Sequence, residues 1–242
     1  MVKNQLLYKD FARYYDLIYS GKNYKEESAK IDRLIKKYKK SKGKKLLDVA
    51  CGSGKHLQYF SKKYSCTGID LNKEILDESK KRLKKVKFKQ KDMINFKLNQ
   101  KFDIITCLFS SIGYVKTYDN LKKSLKNFYT HLNKGGIILI QPWFTKSQWN
   151  NNTSHLQTYE DEKIKIARMV FSSMKRKNIS VMEMHYLIGE DKKGVKHFVE
   201  KHEMGLFEVK ESLKIMNRVG FDAKYLSKFI GRGVYVGVKN GE

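Results

Sequence analysis

The sequence predicts an α/β chain, in which a parallel, doubly wound sheet is interrupted late by an antiparallel β meander. Three observations carry this. Short apolar runs of strand length alternate with helical stretches from Lys45 to Gln141. A glycine turn, Gly52-Ser53-Gly54, follows the first apolar run directly. Beyond Trp143 the rhythm changes to polar–apolar alternation with regular turn signals.

The elements follow in order. Tyr8 to Tyr19 and Tyr24 to Lys40 have amphipathic helical spacing. LLDVA (Leu46 to Ala50) is a buried strand, Lys55 to Tyr64 a helix, and CTGID (Cys66 to Asp70) a second strand. Asn72 is placed to cap a helix running to Lys84, whose charges lie on its outer side. VKFKQ (Val86 to Gln90) and FDIITCLF (Phe102 to Phe109) are the third and fourth strands, and Asp119 to His131 is a helix. After Lys134-Gly135-Gly136, IILIQ is a fifth strand. Strands separated by helices of this length build a Rossmann-like core. From Trp143 to Phe207 the alternation, with turns at Lys175 to Asn178 and Glu190 to Gly194, predicts a meander of hairpins. EVKESLKIMNRVG is a helix ended by Gly220. Two strands, Asp222 to Phe229 and Arg232 to Lys239, close the chain across Gly231.

Composition sets the outer limits. A chain of 242 residues with 40% apolar and 12% aromatic content can bury a substantial core, which argues against disorder. No uncharged apolar stretch of about 18 residues occurs, and the polar start MVKNQLLYKDFARYYD is unlike a signal peptide, so a cytoplasmic protein without a membrane partner is expected. Cys51, Cys66 and Cys107 are odd in number and lack C-x-x-C spacing, which predicts reduced, packed thiols and no zinc site. The net charge is +26, and only seven of the 51 basic residues are Arg. Runs such as Lys36 to Lys45 and Lys80 to Lys87 lie along helices and their ends, as solvated faces do. An electrostatic role toward an anionic partner, a nucleic acid or a phosphorylated small molecule, is the alternative.

The glycine turn lets backbone approach a ligand while the following helix presents free N–H groups. Asp70, ending the second strand, is placed to accept hydrogen bonds from ribose hydroxyls. Asp92-Met93, after the third strand, can hold an adenine amino group and ring. Position 57 is Leu where a dinucleotide fingerprint carries its third glycine, which weakens a dinucleotide reading.

These residues, with the loop FSSIGYV after the fourth strand, resemble a class I S-adenosylmethionine-dependent methyltransferase. More specifically, YDLIYSGKNY, LLDVACGSGKHL, FSSIGYVKT, LNKGGIILIQPWF, VKHFVEKHEMGLF and GRGVYVGV together resemble the TDP-3-amino-sugar N,N-dimethyltransferases of the desosamine and mycaminose type. The resemblance covers nearly the whole chain and departs at Asp70 and Gln141, where the family carries Glu, and in lysine content. It implies S-adenosylmethionine contacts at Tyr15, Ala50, Gly52, Gly54, Asp70, Leu71, Asp92, Met93 and Phe109. It further implies catalytic roles for Tyr15 and Tyr114, with Tyr14 or Tyr15 as a lid at the sulfonium end, and acceptor contacts at Tyr24, Tyr114, Trp143 and Arg232. The implied organisation is a cofactor-binding core with an N-terminal helical lid (1–145), a β insert over the acceptor (146–207) and a C-terminal completion of the core (208–242). The expected acceptor is a small phosphorylated or nucleotide-linked molecule carrying an amino sugar, and the expected assembly is a monomer or homodimer.

Two groups of residues admit other readings. Arg232, between Gly231 and Gly233, is either a hairpin turn residue or a fork for pyrophosphate. His185, His197 and His202 invite a metal, yet alternation puts His197 and His202 on opposite faces of one strand, which argues against a shared ion. Trp149 is read as a packed loop aromatic rather than a base-stacking platform. The competing functions are methylation of another small molecule, or an RNA-binding or RNA-modifying protein using the basic surface. No RNA-recognition module supports the latter, so nucleic acid is disfavoured as a partner.

Overall fold

The computed structural model describes residues 12–176 and 178–240. Two helices precede the sheet, α1 (Ala12–Ile18) and α2 (Tyr24–Tyr38). The Asn23 side chain caps α2 by accepting the Glu26 N–H at 2.9 Å. Glu26 and Glu27 in its first turn and Lys36 and Lys37 in its last complement the helix dipole. Ile31, Leu34 and Ile35, three and four residues apart, form its buried stripe.

The βα series runs β1 (Lys45–Val49), α3 (Leu57–Phe60), β2 (Ser65–Asp70), α4 (Lys73–Arg82), β3 (Lys87–Gln90), β4 (Phe102–Cys107), a 3₁₀ turn (Ser111–Val115), α5 (Tyr118–His131) and β5 (Leu132–Ile140). A C-terminal helix, α6, spans Val209–Val219. With two late strands, β10 (Phe221–Leu226) and β11 (Val234–Lys239), these strands form one sheet in the order β10-β11-β5-β4-β1-β2-β3. β3, β2, β1, β4 and β5 are parallel, while β11 joins β5 antiparallel. Side-chain alternation divides the sheet between two cores. Leu47, Val49, Ile105 and Ile138 face one, and Leu46, Ile104, Ile137 and Leu139 face the other. Each of these fully buried aliphatic side chains contributes about 1.5–3 kcal/mol.

Between β5 and α6 lies a second sheet, the meander β6 (Thr153–Glu160), β7 (Ile164–Lys175), β8 (Ile179–Glu190) and β9 (Gly194–Gly205). Its inner face carries Ile166, Val170, Met182, Met184, Tyr186, Ile188, Phe198 and Met204, packed with Tyr14 and Ile18 of α1. The same face also buries three groups of different character, Arg168, Glu200 and His202.

Several boundaries differ from expectation, each for a local reason. The helix expected over Lys55 to Tyr64 contracts to Leu57–Phe60. Its exit tightens into i−3 bonds, such as Lys63 N–H to Phe60 C=O at 2.9 Å, while Lys63 and Tyr64 are drawn to Asp32 of α2 at 2.7 and 2.5 Å. β5 starts at Leu132, ahead of the glycine pair, because a register irregularity opposite Phe102 and Ile104 absorbs Gly135 at φ 69°. Ala50 leaves β1 in the left-handed region at φ 54°. Arg232 lies in the turn before β11 rather than in the strand. Residues 8–11 of the first expected helix lie outside the described residues.

Gly220 ends α6 as anticipated, at φ 114°. A Cβ there would sit 2.9 Å from the Tyr129 ring, which is itself held edge-on to Phe221. Gly220→Ala is therefore expected to lower the unfolding free energy by about 2 kcal/mol or more, from backbone strain and overpacking combined. Urea denaturation of the two proteins measures this directly.

Candidate active site

β1 lies between β4 and β2, so the chain leaves the sheet centre in opposite directions and opens a crevice at the carboxyl ends of the strands. Ala50, Gly52 and Gly54 follow β1, Asp70 ends β2 and Leu71 follows it, Asp92 and Met93 follow β3, and Phe109 follows β4. One edge of the sheet thus gathers eight of the residues singled out from the sequence.

Hydrogen bonds set the shape of the loop after β1. Ala50, Gly52 and Gly54 adopt φ of 54°, 52° and 74°. Asp70 Oδ2 accepts the Gly52 N–H at 2.9 Å, its Oδ1 accepts the Asn72 N–H at 3.0 Å, and Ser79 Oγ of α4 donates to the Gly52 carbonyl at 3.0 Å. Burial raises the Asp70 carboxyl above its ordinary value, and the amides of Asn72, Gly52 and Leu71 oppose that shift. A Cβ on Gly52 would meet Ile75 alone, in ordinary contact at 3.8 Å, whereas one on Gly54 would press on Leu83 at 3.0 Å. Leu71 stands 57% exposed beside Asp70, an apolar surface without cover among the described residues. Asp92 Oδ1 accepts the Ile94 N–H at 2.8 Å, which aims its carboxylate, and Met93 is buried beneath.

Phe109 and Ser110 are also left-handed, at φ 53° and 62°. Side chains hold this strain, Gln141 accepting the Phe109 N–H at 2.6 Å and Ser110 Oγ donating to the Pro142 carbonyl at 2.7 Å. The Phe109 ring takes Tyr19 edge-on at 5.0 Å and the Lys22 ammonium at 4.6 Å. Tyr24 lies on this side too, its ring 5.0 Å from His56, and burial raises its phenol.

The other substrate candidates form a second group. The Trp143 indole N–H donates to Ser180 Oγ of β8 at 2.9 Å. A Cβ on Gly113 would lie 3.1 Å from the Trp143 Cβ, so this indole abuts the turn that carries Tyr114. The Arg232 guanidinium sits 3.9 Å from the Phe144 ring centre and 4.9 Å from that of Trp143. Burial lowers its proton affinity, its Nε is without a partner, and no carboxylate pairs with it among the described residues. Trp149 packs against Trp143 and Phe144, as a loop aromatic should. His185 and His197 stack on the outer face of the meander while His202 faces inward, and no metal-binding cluster occurs among the described residues. Tyr15 belongs to α1, and its side chain lies outside the described residues.

Two features escaped the sequence reading. Asp16 of α1 accepts from Ser53 Oγ at 2.8 Å and Arg82 Nη1 at 2.9 Å, and pairs with Lys55 at 3.1 Å, which ties the first helix to the glycine loop. At its other side α1 meets the meander, where Tyr14 and Arg13 bond Glu190. The second is Asp48, inside the apolar run of β1, whose Oδ1 accepts from Thr106 Oγ1 at 2.7 Å. Burial pushes its carboxyl up to about 6. An acid within LLDVA was the signal available for it.

Asp48 predicts a pH dependence whose sign is determined. Its native carboxyl keeps a proton to about pH 6, whereas the unfolded chain releases it near pH 4. The native state therefore binds more protons in that window, and stability from this group, present below it, is lost as pH rises through about 6. Asp48→Asn keeps the acceptor and the volume without the proton. The wild-type unfolding free energy minus that of the variant should fall by up to about 3 kcal/mol between pH 4 and pH 7, as read by urea titrations.

Among the described residues no helix is long and apolar enough to cross a membrane. Residues 46–136 match the family model of the methyltransferase domain. The chain is 34% identical, over 95% of its own length and 98% of the relative's, to the dTDP-3-amino-3,4,6-trideoxy-alpha-D-glucopyranose N,N-dimethyltransferase of Streptomyces venezuelae. It is 30% identical, over 96% of its length and 93% of the relative's, to the dTDP-4-amino-2,3,4,6-tetradeoxy-D-glucose N,N-dimethyltransferase of Saccharopolyspora spinosa. The crystal structure of Streptomyces venezuelae DesVI superposes with a TM-score of 0.88 at 33% identity, covering 94% of this chain and 98% of that one. With a methyltransferase crevice and full-length likeness of this degree, the chain belongs to the family of S-adenosylmethionine-dependent methyltransferases that contains the sugar N,N-dimethyltransferases.

Proposed function

We propose that this enzyme methylates the amino group of a small, nucleotide-linked amino sugar in the cytoplasm, with residues 146–207 covering the acceptor and the rest of the chain holding the cofactor. The observation that carries the acceptor assignment is Arg232. A guanidinium packed on the rings of Phe144 and Trp143, partly desolvated and without a carboxylate partner among the described residues, is a seat for an anion. Its planar donors suit a pyrophosphate bidentately. The relatives above, whose names specify dTDP-linked substrates, supply the second support.

The crevice residues fit S-adenosylmethionine. Gly52 has only Ile75 near its Cβ position, Asp70 is bonded to the Gly52 amide, and Leu71 offers an apolar face. In this reading Ala50, Gly52 and Gly54 bring backbone to the cofactor. Asp70 takes the ribose hydroxyls, Leu71, Asp92 and Met93 the adenine, and Phe109 the wall opposite. Tyr15, with Tyr14 beside it in α1, closes the sulfonium end. Tyr114 and Trp143 line the acceptor side, Tyr114 next to the reacting nitrogen, and Tyr24 meets the acceptor from the Phe109 side. When bound, the cofactor supplies a methyl group on a sulfonium that departs as a neutral thioether, so this chain has to align an amine and keep it unprotonated.

Two substitutions separate the halves of the site. Asp70→Ala should weaken S-adenosylmethionine binding by about 1–3 kcal/mol, read by calorimetry, because ribose hydroxyls and the Gly52 amide lose a common acceptor. Arg232→Lys keeps the charge without the fork. It should raise the acceptor KM about tenfold or more and leave cofactor affinity unchanged, in steady-state kinetics with a TDP-amino sugar. An unaltered KM would return Arg232 to the role of a turn residue.

A further inference from the structure

Behind Tyr114 the meander buries a histidine and a carboxylate in line. The Tyr114 hydroxyl lies 2.7 Å from His202 Nδ1, and His202 Nε2 lies 3.4 Å from Glu200 Oε2. His202 is 4% exposed and Glu200 fully buried. Two residues apart on β9, they share the inner face by alternation. Tyr114 comes from the 3₁₀ turn after β4, 88 residues earlier.

The chemistry of the three groups assigns their hydrogens. With Glu200 Oε2 as the acceptor, Nε2 carries the ring hydrogen and Nδ1 presents its lone pair to Tyr114. The phenol is then the donor of the first bond. By itself a phenol is a poor base near neutrality, since its ordinary value is about 10 and its hydroxyl is already protonated. It can take a proton only by passing its own onward, and imidazole is the side chain suited to receive one at that pH. Facing the pair on the same inner surface are Arg168 of β7 and Tyr186 of β8, the charges of Arg168 and Glu200 both acting on the Tyr186 hydroxyl. At the edge, Lys116 and Lys175 pair with Glu203, each at 3.1 Å.

We infer that Tyr114, His202 and Glu200 form a proton relay that discharges the acceptor ammonium, an inference that rests on the amine reading of the acceptor. The ammonium gives one proton to the Tyr114 oxygen as Tyr114 passes its own to His202 Nδ1. The positive charge moves from nitrogen to imidazolium, and the Glu200 carboxylate sits beside it. The freed lone pair forms the N–C bond while the C–S bond breaks, its electron pair staying on sulfur. The proton on His202 returns by the same path and leaves to solvent with the product. Tyr114 touches the amine, whereas His202 and Glu200 are positioning residues that act through it.

The test uses the full-length enzyme, a TDP-amino sugar, and the variants Tyr114→Phe, His202→Gln and Glu200→Gln. At pH 7, kcat should fall about a hundredfold in Tyr114→Phe and His202→Gln, and less in Glu200→Gln, with S-adenosylmethionine affinity unchanged in all three and acceptor KM unchanged in the His202 and Glu200 variants. The loss should shrink as pH rises and the free amine becomes abundant in solution. Unchanged kcat at pH 7, or an equal loss at every pH, would overturn the relay. Nitrogen-15 NMR of the wild-type His202 ring gives a second, acceptor-independent decision. Hydrogen on Nε2 supports the relay, and hydrogen on Nδ1 overturns it. Absence of turnover with every TDP-amino sugar would strike the acceptor assignment alone, with the ring tautomer still deciding the relay.

Discussion

The loop after β1 passes through three left-handed residues, Ala50, Gly52 and Gly54, and the Asp70 carboxylate is the side chain that pins it. One oxygen takes the Gly52 amide and the other the Asn72 amide, so a single side chain joins the end of β1 to the start of α4. The Asn72 side chain adds the cap on α4 by accepting the Ile75 N–H at 3.0 Å, and Ser79 of the same helix returns to the Gly52 carbonyl. The cofactor crevice is therefore a consequence of how this turn is pinned.

The second half of the site depends on what is laid over that crevice. The meander brings its inner face to the 3₁₀ turn through Tyr114 and to the end of β5 through Trp143. Helix α1 lies between the two layers, with Asp16 on the glycine loop and Tyr14 on the meander. A helix bonded to both layers ties the glycine loop to the meander. Its ion pairs to Lys55 and to Arg82 of α4 are partly exposed, the kind of contact worth about 1 kcal/mol or less each.

Much of this was legible in the sequence because the signals were local. Alternation between Trp143 and Phe207, with turns at the positions expected, marked the meander. Asn72 and Gly220 marked helix ends. The crevice residues followed from their places after successive strands. What stayed hidden depends on contacts between distant parts of the chain. His202 drew notice only as a possible ligand, since nothing in its neighbourhood announces Tyr114, 88 residues earlier, as its partner. Nothing local to Asp16 announces Ser53, Lys55 or Arg82 as its partners. Asp48 was passed over because an acid within an apolar run carries no sign of which hydroxyl will meet it. The early start of β5 was hidden by a glycine pair that normally signals a turn, and that here supplies the register shift.

The central claim is that the acceptor is an amine on a nucleotide-linked sugar. Mass spectrometry of a panel of TDP-amino sugars and their hydroxyl analogues, each incubated with the enzyme and S-adenosylmethionine, tests it most directly. The account predicts a mass gain of one or two methyl groups on an amino sugar, localised to its nitrogen by fragmentation, and none on the matching hydroxyl analogue. Methylation of a hydroxyl analogue, or of no member of the panel while the enzyme binds its cofactor normally, would contradict it.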